Sequence, residues 1–189
     1  EQNTLGPKRV VEFARACRDA VLVHGSTAYV NGQQTGKISE EVWQPDQTVL
    51  QKISNGRAPA YDLESEIASI QAFSKEVELA SHESELQAQF VRMLDRQDRG
   101  KRVTEHRRAH QVEAWRQRWK REQLVERGRV RGQELGWHDG YTMTKAMGEQ
   151  MVVKMRGDLP TAIVRPSIIE SSLSDPEPGW LDGLKVADP

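Results

Sequence analysis

Tyr141-Thr-Met-Thr-Lys145 places a phenol and an ammonium four residues apart, which on a helix means one face and adjacent turns. A neighbouring cation favours the phenolate, so the pairing suits proton transfer to a carbonyl oxygen. A free tyrosine, with a pKa of about 10, does this poorly near neutrality. The same spacing also arises on solvated helix faces with no chemistry attached. Of the three tyrosines only Tyr141 has it, since Gln33 stands four after Tyr29 and Ser65 four after Tyr61. Other chemistry-bearing residues are sparse. His106 and His110 lie one turn apart, a zinc-compatible spacing, but Arg107 and Arg108 separate them and no third ligand is evident; no metal site is expected. His24 and His138 need no catalytic role as structural polar residues. Trp115 and Trp119 are expected to pack helices together rather than stack on bases.

The elements around Tyr141 follow from local pattern. Asp139 is a cap for a helix running to about Arg156, with Met143, Met147 and Met151 on its core side. Gly157-Asp-Leu-Pro160 reads as a turn, and Thr161-Ala-Ile-Val-Arg165 as a short buried strand closed by Pro166. Near the start of the chain, Val10, Phe13, Ala14 and Cys17 share helical spacing within Gly6 to Asp19. The apolar run Ala20-Val-Leu-Val-His24, bounded by Gly25, follows as a buried strand. The order helix, strand, long insert, helix, strand predicts an α/β fold, part of a doubly wound parallel sheet covered on both faces and interrupted by a helical excursion. Two strands do not complete such a sheet, so the remaining strands are expected outside the sequence as given.

Composition fits that division. With 189 residues, 37% hydrophobic and 29% charged, the chain is too polar for one compact ball. The net charge of −1 excludes a globally basic nucleic-acid binder, so no nucleic-acid partner is expected, and no apolar run approaches the roughly 20 residues of a membrane helix. One cysteine, Cys17, excludes an internal disulfide framework and fits a reducing, cytoplasmic setting. The chain begins at Glu1 without a leader and reads as cut from something longer. The neutrality hides an asymmetry: residues 60–91 carry seven acidic side chains and one lysine, whereas residues 92–134 carry fourteen Lys and Arg against seven Asp and Glu. Leu63, Ile67 and Ile70 in the first block, and Val112, Trp115 and Trp119 in the second, make narrow apolar stripes. An antiparallel helical pair broken at Gly100 is expected. The arginines from Arg99 to Arg131 read first as a solvated face, and otherwise as a peripheral contact with anionic lipid or with the phosphates of coenzyme A.

Three strings carry a resemblance. Val21-Leu-Val-His-Gly-Ser-Thr-Ala-Tyr-Val-Asn-Gly32, Tyr141-Thr-Met-Thr-Lys145 and Val164-Arg-Pro-Ser-Ile-Ile169 resemble extended short-chain dehydrogenases. More narrowly, Ser26-Thr-Ala-Tyr-Val-Asn-Gly32, Arg165-Pro-Ser-Ile-Ile-Glu-Ser-Ser172 and Glu177-Pro-Gly-Trp-Leu-Asp-Gly183 resemble fatty acyl-CoA reductases of the male-sterility type. The resemblance covers about residues 1–36 and 137–184. It implies a Rossmann-like reductase domain over residues 1–40 and 137–189, with 41–136 as a charged helical insertion, and reduction of a long-chain acyl-CoA by NADPH to an aldehyde or a primary alcohol.

The resemblance also implies roles. Tyr141 would be the general acid, and Lys145 would lower its pKa and hydrogen-bond the nicotinamide ribose. Thr27 would hold the carbonyl oxygen with its hydroxyl, with Ser26 the competing neighbour. Asn3 resembles the helix asparagine that orders a proton-relay water, and Pro166 and Ser167 would pack against the nicotinamide. Two departures stand out. No glycine-rich phosphate turn precedes Asn3, so the sequence reads as an internal fragment unable by itself to bind nucleotide well. Tyr141 also follows Thr27 by 114 residues, a gap that the insertion accounts for. A nucleotide-sugar epimerase, the thioester reductase of a multidomain synthetase, and a noncatalytic helical interaction module are the competing readings.

Overall fold

A computed structural model describes residues 2–97, 104–168 and 171–180. The elements are α1 (Leu5–Ala16), β1 (Leu22–Gly25), a short 3-10 turn (Ala28–Asn31), α2 (Val49–Ile53), α3 (Leu63–Ala80), α4 (Ser84–Gln97), α5 (Glu105–Glu134), α6 (Gly140–Met155) and β2 (Thr161–Val164). β1 and β2 pair in parallel, with Leu22 opposite Thr161 and Gly25 opposite Val164. Hydrogen bonds extend the pairing past both strands, from Ser26 N to Val164 O at 2.8 Å and from Ala28 N to Pro166 O at 2.9 Å. The α/β character and parallel sheet are as expected.

The strands are not buried on both faces. Val23 and Val164 are exposed; among the described residues, helices cover only the face that carries Leu22. α1 also turns a different side inward. Val11 and Ala14 are buried while Val10 and Phe13 are exposed, as is Cys17 just beyond the helix. Thr4, Pro7, Val11 and Ala14 make an equally good helical stripe, and it is this one that lies on α6. The approach is close: a Cβ on Gly148 of α6 would collide with the backbone oxygen of Asn3, so only glycine lets the two segments meet.

α6 begins in a capping box, with Asp139 Oδ1 accepting from Thr142 N at 2.8 Å. Met143, Met147 and Met151 are buried as expected. They join a core that includes Trp43, Val49 and Leu63 and is centred on Trp137. The Trp43 and Trp137 rings lie 6.0 Å apart, and Trp137 Nε1 donates to Val30 O at 2.8 Å. The loop after β1 is thereby pinned to the lead-in of α6.

The acidic arm is two helices rather than one, broken at Ser81-His-Glu83, where Ser81 is buried and Gln87 Nε2 donates to its carbonyl. Gly100 lies outside the described residues. α5 runs antiparallel to both: Arg131 pairs with Glu66 at 2.7 Å, Lys120 with Glu78 at 2.6 Å and Arg108 with Asp95 at 2.5 Å, so partners advance on one arm as they recede on the other. The last two pairs involve exposed carboxylates, whose attraction solvent screens. They set register more than stability. Trp115, Trp119 and Val112 are half-buried on α5.

The end of α5 seats against the start of α6 through glycine. A Cβ on Gly132 would lie 2.6 Å from Asp139 O and 2.8 Å from Asp139 C, both backbone atoms that do not yield cheaply. G132A is therefore expected to lower stability. Its helix-propensity gain of about 1 kcal/mol is outweighed by overpacking of about 1–3 kcal/mol. Thermal unfolding checks this, and an unchanged or raised midpoint contradicts the contact.

Candidate active site

Tyr141 opens α6, one residue after its first position, and its side chain is 53% exposed. Lys145 follows one turn on, and its Nζ donates to Gly25 O, at the carboxyl end of β1, at 3.1 Å. That bond brings the tyrosine-lysine helix to the point where β1 gives way to Ser26 and Thr27. Both hydroxyl residues are buried, each 6% exposed. Thr27 is extended and caps the 3-10 turn, its Oγ1 accepting from Tyr29 N at 3.3 Å. Its hydroxyl proton stays available for donation. Ser26 Oγ has no hydrogen-bond partner among the described residues.

Pro166 and Ser167 are exposed just past β2, and the bond from Ala28 N to Pro166 O sets them beside Thr27. Asn3 lies in the turn ahead of α1 and not within a helix. Its Nδ2 donates to Thr144 Oγ1 at 3.3 Å, and that hydroxyl donates to Tyr141 O at 3.0 Å, linking Asn3 to the turn that bears the phenol. Among the described residues no hydrogen bond joins the Tyr141 hydroxyl to Lys145, Ser26 or Thr27. His106 and His110 lie on an exposed stretch of α5, away from this constellation in sequence and structure.

Sequence reasoning gave Glu149 and Arg165 no role at the site and read His24 only as a structural polar residue. Glu149 is fully buried and pairs with Arg165, which ends β2. A carboxylate one turn after Lys145 was the available signal. His24 points to the same face as Leu22, and its Nε2 is buried without a partner among the described residues. Burial pushes its pKa below the usual 6.5; Glu149 opposes that shift and Lys145 reinforces it. The unfolded ring therefore binds more protons than the native one as pH falls through about 6.5, and stability is lost on acidification from there. Thermal midpoints measured from about pH 7.5 to pH 5.5 should fall less steeply in His24→Gln than in the parent. Equal slopes would remove His24 as the cause.

The family model for male sterility protein matches residues 1–188. The chain belongs to that family. It is 33% identical over 189 residues to "Fatty acyl-CoA reductase 2, chloroplastic" of Arabidopsis thaliana, covering 99% of this chain and 25% of that protein. It is 29% identical to "Alcohol-forming fatty acyl-CoA reductase" of Simmondsia chinensis, covering 98% of this chain and 30% of that protein. A bovine "Fatty acyl-CoA reductase 2" matches 48 residues at 48% identity. The chain thus spans about a quarter to a third of the length of the first two relatives. Membership in an NAD-binding family accords with a Rossmann-like parallel sheet and covers the helical stretch as well as its flanks. No helix among the described residues is long and apolar enough to cross a membrane.

Proposed function

We propose that this family member supplies the carbonyl-facing part of a reductase that uses NADPH to convert a long-chain acyl-CoA thioester into an aldehyde, and onward into a primary alcohol. The observation that carries the reading is the bond from Lys145 Nζ to Gly25 O at 3.1 Å, which sets the Tyr141 helix at the strand end bearing Ser26 and Thr27. Open parallel sheets receive ligands outside the carboxyl ends of their strands, and both strands end here.

The residues fit the nicotinamide-ribose half of the cofactor. Lys145 uses one ammonium proton on Gly25 O and keeps two others for ribose hydroxyls. Pro166 and Ser167 offer an exposed edge beside Thr27, and Ser26 Oγ is a buried polar atom lacking a partner among the described residues. When bound, the dinucleotide supplies the hydride. Thr27 would hold the carbonyl oxygen and Tyr141 would give that oxygen a proton as negative charge builds on it. Collapse to the aldehyde would break the carbon-sulfur bond while the adduct's hydroxyl gives up the proton it received; that proton goes to the departing thiolate, which leaves as free coenzyme A, and the Tyr141 phenolate regains a proton from solvent through its exposed edge. Thr27 is preferred over Ser26 because its hydroxyl is already oriented by Tyr29 N.

Lys145→Ala in the full-length protein tests the ribose contact. Turnover and NADPH affinity should fall together, each by about tenfold or more, since the same ammonium serves the phenol and the ribose. A purely catalytic defect with unchanged NADPH affinity would argue against it, and equal rates with NADH would remove the preference for the phosphorylated cofactor.

A further inference from the structure

Glu149 and Arg165 form an ion pair that neither the acid-base chemistry nor the fold core absorbs. Arg165 Nε donates to Glu149 Oε1 at 2.9 Å and Nη2 donates to Oε2 at 2.6 Å, a two-pronged geometry. Glu149 is 0% exposed, and the Arg165 side chain is 14% exposed. The third guanidinium nitrogen, Nη1, donates to Glu41 O at 3.0 Å, so the fork also grips the segment entering the helical stretch.

The connections around the pair close on themselves. Glu149 lies one turn after Lys145 on α6, and Lys145 Nζ bonds Gly25 O. Gly25 is opposite Val164 in the sheet, and Val164 is followed by Arg165, which returns to Glu149. Three elements are thus locked by a circuit of side-chain and sheet bonds: α6, β1 and β2. Arg165 also directly precedes Pro166 and Ser167. Moving Arg165 along α6 would move the nicotinamide-facing segment against Lys145 and Tyr141.

We propose that Glu149 and Arg165 are positioning residues: their pair fixes the height of the Lys145 turn relative to the ends of β1 and β2, and so the placement of the ribose-binding ammonium against Pro166 and Ser167. What is positioned rests on the catalytic reading above; the circuit itself does not. A salt bridge buried this deeply is weak evidence for stability, because apolar residues of similar volume commonly replace such pairs at no loss of stability. Its geometric role is the better explanation, since a displacement on the order of 1 Å between reacting groups costs roughly 100-fold in rate.

The test uses the full-length protein. Glu149→Gln alone leaves the Arg165 charge buried without its partner and threatens the fold. The double variant Glu149→Met with Arg165→Met removes both charges and keeps volume, and Arg165→Lys keeps the charge but not the fork. Two readouts are taken on each folded variant. Hydrogen-deuterium exchange at the amides of Ser26 and Ala28, which donate to Val164 O and Pro166 O, should quicken by about tenfold in the double variant. Turnover with acyl-CoA and NADPH should fall by about 10- to 100-fold, with the KM for acyl-CoA within about twofold of the parent. Arg165→Lys should give the same pattern at smaller amplitude. Folded variants with parental exchange at Ser26 and Ala28 overturn the positioning role, whatever their turnover. Quickened exchange with parental turnover also overturns it, because the circuit would then hold nothing that catalysis needs. Should the double variant fail to fold, Arg165→Lys decides by the same two readouts. Failure of the catalytic reading is separate and visible, since Tyr141→Phe would then retain activity while the exchange readout still reports on the pair.

Discussion

Tyr141→Phe in the full-length protein is expected to lower acyl-CoA reduction by at least about 100-fold, the lower bound for loss of a general acid, while leaving the fold intact. The change removes one oxygen from a side chain that is 53% exposed. Surface changes of that size move stability by about 0.5 kcal/mol or less. The ring stays to pack at the start of α6, and the cap formed by Asp139 and Thr142 is untouched. Loss of turnover with an unchanged thermal midpoint would separate chemistry from folding, and parental turnover would remove Tyr141 from the reaction. Thr27→Ala should reach less far, because a carbonyl held by one hydroxyl loses one donor and no proton source.

Trp137→Ala should produce the largest loss of stability. The indole is 0% exposed, packs 6.0 Å from Trp43, and donates to Val30 O at 2.8 Å. Truncating a buried aromatic to alanine costs about 3–5 kcal/mol, and the stranded carbonyl adds about 1–3 kcal/mol. Set against a typical total of about 5–15 kcal/mol, that is enough to populate the unfolded state in mild denaturant. Trp137→Phe keeps most of the packing and loses the hydrogen bond, so it should fall between the two. Urea unfolding followed by circular dichroism checks the order: a midpoint for Trp137→Ala at or above that of Trp137→Phe contradicts the account of this core.

The helix around Tyr141 was legible because its signals agree. Asp139 caps it, the methionines at 143, 147 and 151 share one face, and Gly157 and Pro160 end it. The parallel pairing of the two short strands followed from their apolar runs and from the helices beside them. The inward face of α1 was not legible, since two stripes satisfy helical spacing and only contact with Gly148 chooses Val11 over Val10. The break at Ser81-His-Glu83 was hidden for a similar reason: no proline or glycine marks it, and a buried serine carbonyl bonded to Gln87 ends the helix instead. Within the candidate site, Tyr141, Lys145 and Thr27 could be named from local strings. Glu149 and Arg165 could not, because their meaning is a contact between residues sixteen positions apart that takes shape only when α6 packs on β2.

The site's proposed chemistry is hydride delivery to an acyl carbonyl at the end of this sheet. It is tested most directly by giving the full-length protein a long-chain acyl-CoA with NADPH deuterated at the transferable position. Deuterium is expected on the first carbon of the aldehyde or alcohol, released together with free coenzyme A, in wild type and not in Tyr141→Phe. Unlabelled product, or fatty acid with free coenzyme A and no oxidised cofactor, would contradict it.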